Sequence, residues 1–80
     1  MVVDAVVMGS YDGCQLYLPD DPGIDRKHAR VYRQGSHFFL EDLGSRSGLF
    51  ADGQWVTPGA PMQIGRGTRI RLGTTEVELR

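Results

Sequence analysis

The residues able to do chemistry gather in three stretches that lack regular apolar patterning: Ser10–Cys14, Pro19–Lys27 and Leu43–Gly48. The third reads Leu-Gly-Ser-Arg-Ser-Gly. It sets the hydroxyls of Ser45 and Ser47 on either side of the Arg46 guanidinium, in a backbone loosened by glycine. Hydroxyls, a guanidinium and exposed N–H groups in one loop are the donors that an anion such as phosphate or carboxylate requires. The second stretch changes sign within a few residues, from Asp20, Asp21 and Asp25 to Arg26 and Lys27.

Other chemistries fit less well. His28 and His37 are nine residues apart, and no Cys-x-x-Cys or His-x-x-x-His spacing occurs, so hydrogen-bonded structural histidines are expected and no metal site. Asp20-Asp21-Pro22-Gly23-Ile24-Asp25 lacks the alternating oxygen ligands and closing Glu of a calcium loop and reads as a solvated acidic turn. Ser45, Ser47 or Cys14 could be matched on paper with His28 and an Asp. However, no strand-to-helix elbow is present, and a chain of 80 residues leaves little room for a water-excluding pocket. Gly65-Arg66-Gly67 is a turn rather than a phosphate loop, because no strand-loop-helix context surrounds it. No catalytic residue, no cofactor and no enzyme activity are therefore expected. Cys14 is the only cysteine, so an intrachain disulfide is impossible and a small buried thiol is expected.

The elements that must position these loops are strands. No window sustains apolar residues at helical spacing, and eleven glycines and four prolines punctuate the chain. Period-two runs predict strands over Val2–Met8, Gln15–Leu18, Ala29–Arg33, His37–Asp42, Leu49–Ala51, Gln54–Val56, Met62–Ile64, Thr68–Leu72 and Thr75–Leu79. The last two are the best specified. A two-residue turn at Gly73-Thr74 sets Arg71 against Glu76 and Arg69 against Glu78 on one face, with Ile70 against Val77 on the other. A slip of one residue destroys both charge matches. Nine short strands in one domain, residues 1–80, mean an all-β sandwich or barrel.

Charge narrows the partner. The net charge of −1 argues against a generally basic nucleic-acid binder. All nine basic residues nevertheless fall after residue 25, against five acidic ones, so an anion-seeking surface belongs there. Arg30, Tyr32, Arg33, Phe38 and Phe39 could form the stacking face of an oligonucleotide-binding barrel, although alternation must turn one of the two phenylalanines inward. Met1–Met8 is short, is interrupted by Asp4 and has no basic flank, which makes it neither a signal peptide nor a membrane span. A cytoplasmic protein with no nucleic-acid or membrane partner is the expectation.

Taken together in their order, several of these segments resemble the forkhead-associated (FHA) domain. Gly9 closes the first strand where the family has Gly-Arg, and Asp12–Pro19 looks like the turn and strand leading to its Leu-Pro-Asp step. Ile24–Val31, with His28-Ala29, matches the family's Ser-Arg-x-His-Ala stretch. Phe39–Phe50, with Asp42-Leu-Gly-Ser45, matches its Asp-Leu-Gly-Ser-x-Asn-Gly-Thr stretch, and Ile64–Gly73 fits its closing Gly-Asp-x-Ile-x-Leu-Gly. The resemblance implies an FHA-like β-sandwich of short antiparallel and mixed strands. It also implies loops at one end that recognise phosphothreonine peptides, with Gly9, His28 and Gly48 as architecture around the site.

Three positions depart from the family where its ligand binds. The phosphate-binding Arg is replaced by Ser10, the phosphate-binding Ser by Asp25, and the peptide-binding Asn by Ser47. Losing one charge-assisted hydrogen bond of about 1.5–3 kcal/mol weakens phosphate binding roughly tenfold to a hundredfold. A carboxylate about 4 Å from phosphate repels it by about 4 kcal/mol at an effective dielectric near 20. The expected function is thus a protein-interaction module independent of phosphothreonine, with Asp25 paired to Arg26 or Arg46. The alternative is a working phosphothreonine reader that uses Arg26 and Arg46. The family's first strand is missing or merged into Met1–Met8, which implies a trimmed domain or a short variant. It also predicts an open sheet edge at Val2–Met8, suited to a homodimer.

Overall fold

A computed structural model describes residues 5–79. Its nine strands are β1 (Ala5–Gly9), β2 (Leu16–Tyr17), β3 (Ala29–Gln34), β4 (His37–Asp42), β5 (Leu49–Ala51), β6 (Gln54–Trp55), β7 (Met62–Ile64), β8 (Arg69–Leu72) and β9 (Thr75–Glu78). Every expected strand is present. The ends expected at Gln15, Leu18, Val56, Thr68 and Leu79 fall just outside, yet Leu18 N–H still bonds the Gly9 carbonyl at 2.8 Å, Val56 N–H the Leu49 carbonyl at 2.8 Å and Leu79 N–H the Thr68 carbonyl at 3.0 Å.

The strands form two sheets, ordered β2-β1-β3-β4-β7 and β6-β5-β8-β9. They make a sandwich of separate sheets rather than the closed barrel of the oligonucleotide-binding reading. Alternation builds the interior: Ile70 and Leu72 of β8 are buried while Arg69 and Arg71 face out. Met8, Ile24, Ala29, Leu40, Leu49, Ala51, Val56 and Ile64 complete the core with them. Phe38 packs against that core, whereas Phe39 lies on the outer face and stacks on Tyr32 with ring centroids 5.6 Å apart. Beside them Arg30 stands over the Tyr32 ring and pairs with Glu41.

The β8–β9 hairpin has the expected register, with Arg71 opposite Glu76 and Arg69 opposite Glu78. Gly73 takes φ +58° at the first turn position, a backbone that a two-residue hairpin needs and a side chain resists.

The expected edge at Val2–Met8 is covered at its end by a short strand. Val2–Asp4 lie outside the described residues. The rest belongs to β1, which pairs with β3 on one side and, at Met8 and Gly9, with β2 in parallel on the other. The Gln15 side chain accepts the Val7 N–H at 2.8 Å, capping part of what β2 leaves uncovered. Among the described residues, the longer strand paired on one side alone is β9.

The pairings Met8 with Ala29, Ala29 with Asp42 and Leu49 with Leu72 bring four connections to one end of the sandwich. These are residues 10–15, 18–28, 43–48 and 73–74, and they include the three chemically rich stretches.

Candidate ligand-binding loops

Backbone hydrogen bonds lock the first two loops together. Ser10 N–H bonds the Asp25 carbonyl at 3.0 Å, and Tyr11 N–H bonds the Arg26 carbonyl at 3.2 Å. The approach is so close that a Cβ on Gly9 would stand 2.0 Å from the Arg26 oxygen. Only glycine fits there, which gives Gly9 its architectural role. Cys14 is buried, and its thiol donates to the same Arg26 carbonyl at 3.2 Å.

His28 ties the second loop to the third. It is fully buried, with Nδ1 accepting the Asp25 N–H at 3.2 Å and Nε2 lying 2.7 Å from the Gly48 carbonyl. An N–H can only donate, so Nδ1 is the bare nitrogen and Nε2 carries the proton that reaches Gly48. Gly48, at φ +86°, turns its carbonyl toward the ring.

Within the third loop the organiser is Asp42. It is buried, and its Oδ1 accepts the N–H groups of Gly44 at 3.1 Å and Ser45 at 2.9 Å. This is an aspartate turn, signalled in the sequence by an Asp at a strand end with Gly two residues on. Asp42 was not singled out as a site residue, although that signal was available. Ser45 is half-buried at the base of the loop, and Arg46 and Ser47 are exposed at its tip.

Asp25 meets the loop tip. Its Oδ2 accepts the Arg46 N–H at 2.9 Å, and its Oδ1 lies 3.4 Å from Arg46 Nε. Its side chain is 23% exposed, against 90% for that of Arg46. Arg26 turns elsewhere, its guanidinium 4.7 Å from the centre of the Tyr11 ring. The Ser47 hydroxyl donates to the Gly23 carbonyl. Pro22, Gly23, Asp25, Arg46 and Ser47 line one shallow depression of about 340 Å³. Ser10 adjoins it through its bond to Asp25, so the three departing positions share one end of the sandwich.

The acidic stretch is not merely solvated, and here the sequence reading is corrected. The Asp21 carboxylate accepts Gly23 N–H at 2.9 Å, Thr74 N–H at 2.7 Å and the hydroxyls of Thr74 and Thr75 at 2.9 and 2.8 Å. The Gly23 and Thr75 bonds, followed by those of Thr74, hold its pKa down to about 2. The residue thereby pins the second loop to the β8–β9 turn. Among the described residues, no group of three or more His, Cys, Asp or Glu side chains is placed to hold a metal ion. No helix there is long and apolar enough to cross a membrane.

Known proteins resemble this arrangement. The family model described as FHA domain matches residues 6–73. FHA domain-containing protein FhaB of Mycobacterium tuberculosis is 41% identical over 75 residues, which cover 94% of this chain and 46% of FhaB. FhaB of Mycolicibacterium smegmatis is 40% identical over 75 residues, with the same coverage of 94% and 46%. The chain therefore spans about half the length of the curated relatives it matches. The FHA domain of FhaA, solved in complex with the intracellular domain of Rv3910, is 29% identical with a TM-score of 0.80, covering 95% of this chain and 79% of that one. A structure from work on phosphothreonine-dependent FHA domain interactions is also 29% identical, with a TM-score of 0.79, covering 95% and 75%.

Proposed function

The chain belongs to the FHA domain family, and from that premise we propose that it is a protein-interaction module whose anion site is occupied by its own Asp25. The observation that carries this reading is the contact of one carboxylate with both the backbone N–H and the guanidinium of Arg46. These are donors that a phosphate entering the depression needs. A phosphate must displace the carboxylate, lose the attraction Arg46 now gives it, and remain beside a like charge. Ser10 supplies no guanidinium in compensation, and Arg26 is engaged with Tyr11. The partner is then a protein segment read through the loop backbone and the exposed Ser47, whose hydroxyl donates to Gly23 and keeps its lone pairs to accept from a partner, with no requirement for phosphothreonine.

The test is a matched titration. Peptide libraries carrying threonine or phosphothreonine at a fixed position are bound to the protein and ranked. The expected outcome is selection of flanking residues with equal affinity for the two forms. Strong preference for phosphothreonine, lost when Arg46 or Arg26 is replaced by Ala, establishes the phosphate-reading alternative instead.

A further inference from the structure

The outward face of the sheet β6-β5-β8-β9 carries an ordered row of side chains. Trp55 lies opposite Phe50, Phe50 opposite Arg71, and Arg71 opposite Glu76, one residue from each strand. Opposed residues share a face, so the row runs aromatic, aromatic, cation, anion. The Arg71 guanidinium stands 4.5 Å from the centre of the Phe50 ring. Trp55, at the outer end, is 58% exposed, more than any other large apolar side chain among the described residues. Further along the strands Asp52 lies beside Arg69, whose N–H it accepts at 2.9 Å. A depression of about 440 Å³ opens on this face, lined by Phe50, Asp52, Arg69, Arg71 and Glu76, with Trp55 standing on the far side of Phe50.

Folded about a line midway between β5 and β8 and parallel to them, this face complements itself. Trp55 comes opposite Glu76 of a second copy, Phe50 opposite its Arg71, and Asp52 opposite its Arg69. A guanidinium has two faces, so each Arg71 lies between its own Phe50 ring and that of the other copy. The indole N–H is a donor that a carboxylate accepts, and each Trp55 reaches the rim of the other copy's depression. A line drawn across the strands instead sets Arg69 against Arg71, and like charges repel. A foreign partner must supply the whole pattern, whereas a second copy already carries it. The net charge of −1 leaves little general repulsion between copies.

We propose that this face is a self-association surface, joining two copies of the chain about a two-fold axis parallel to β5 and β8. With strands about 4.8 Å apart, the face is only roughly 15–20 Å wide, smaller than a standard interface, so the dimer is weak and concentration-dependent. The axis keeps both recognition ends pointing the same way. Two segments on one partner molecule are then held at once, and affinity rises through effective concentration without new contacts. The Asp25 depression takes no part, so the proposal stands or falls apart from the reading of that site.

Trp55 is the only tryptophan, so its fluorescence reads this face alone. Over a concentration series from micromolar to millimolar, sedimentation passes from monomer to dimer while the emission moves to shorter wavelength. Amide shifts over the same series fall around the row on β5, β6, β8 and β9. Trp55→Glu sets like charges together and weakens the dimer at least tenfold, whereas Trp55→Arg, at the same exposed position, keeps it. Mixing Trp55→Glu with Glu76→Arg restores the dimer, because the new carboxylate of one faces the new guanidinium of the other. Should a variant fail to fold, the emission and shift map of the parent chain decide alone. A monomer throughout the series overturns the proposal. So does a dimer with constant emission, one whose shifts lie along β1, or equal dimerisation of Trp55→Glu and Trp55→Arg.

Discussion

The imidazole Nε2 of His28 lies 2.7 Å from the carbonyl oxygen of Gly48, in a ring whose other nitrogen accepts the Asp25 N–H. One buried side chain therefore holds two recognition loops at a fixed separation. Removing it leaves a part-buried N–H and a part-buried carbonyl without their partner, at a cost of about 1–3 kcal/mol. For a domain of this size each kcal/mol lowers the melting temperature by roughly 4–8 °C. His28→Ala is expected to melt lower by that amount, with the largest amide shifts at Asp25 and in the loop preceding Leu49. An unchanged melt removes His28 from this role.

Gly9 is a position with no room for any side chain. Its added Cβ would collide with the backbone oxygen of Arg26, which itself accepts bonds from Tyr11 and Cys14. Backbone cannot swing aside as a side-chain tip does. Gly9→Ala is thus expected to destabilise by about 1–3 kcal/mol or more and to drive the two loops apart. Thermal denaturation reads the first effect. Thiol reactivity of Cys14 reads the second, because its burial depends on the same packing.

Asp21 makes the fold sensitive to acid. Its carboxylate, ordinarily near 3.8, titrates at about 2 in the folded chain. A depressed folded pKa means the stabilisation is fully present above the unfolded value and is lost as pH falls through the folded one. Asp21→Asn should melt lower than the parent at neutral pH, and the difference should shrink as pH drops from about 4 toward 2. A difference that stays constant over that window assigns the bonds to the amide-compatible oxygen rather than to the charge.

These residues divide by how local their signals are. The β8–β9 register was readable because a two-residue turn and two Arg–Glu matches act within ten residues. The position of His28 was readable through the family pattern around it. Asp21 was not: its Thr74 and Thr75 partners lie 53 and 54 residues away, and the sequence shows only an acidic turn. The partial cover of the β1 edge was illegible for a similar reason. Nothing local reveals that Leu16–Tyr17, a strand of two residues, runs parallel beside the end of β1. Register within a hairpin is a local property, whereas sheet order is set by contacts between distant segments.

The sharpest prediction concerns Asp25. It is paired with Arg46, but Arg46 is 90% exposed and retains its freedom to turn toward an incoming anion. What opposes phosphate is the carboxylate and not a shortage of cations. Asp25→Ser removes the repulsion, estimated at about 4 kcal/mol per charge pair at close range, and releases the Arg46 N–H and guanidinium together. Ser10→Arg adds a guanidinium worth about 1.5–3 kcal/mol, with the carboxylate still beside it. Ser47→Asn supplies an amide that both donates and accepts toward a peptide backbone. Calorimetric titration with phosphorylated and unphosphorylated peptides should therefore show Asp25→Ser as the largest single gain in phosphate preference. The triple variant should gain most, and its affinity should fall as salt rises because the contacts are between exposed charges. If Ser10→Arg alone creates the preference and Asp25→Ser leaves it unchanged, the missing guanidinium governs the site and the internal pair is incidental.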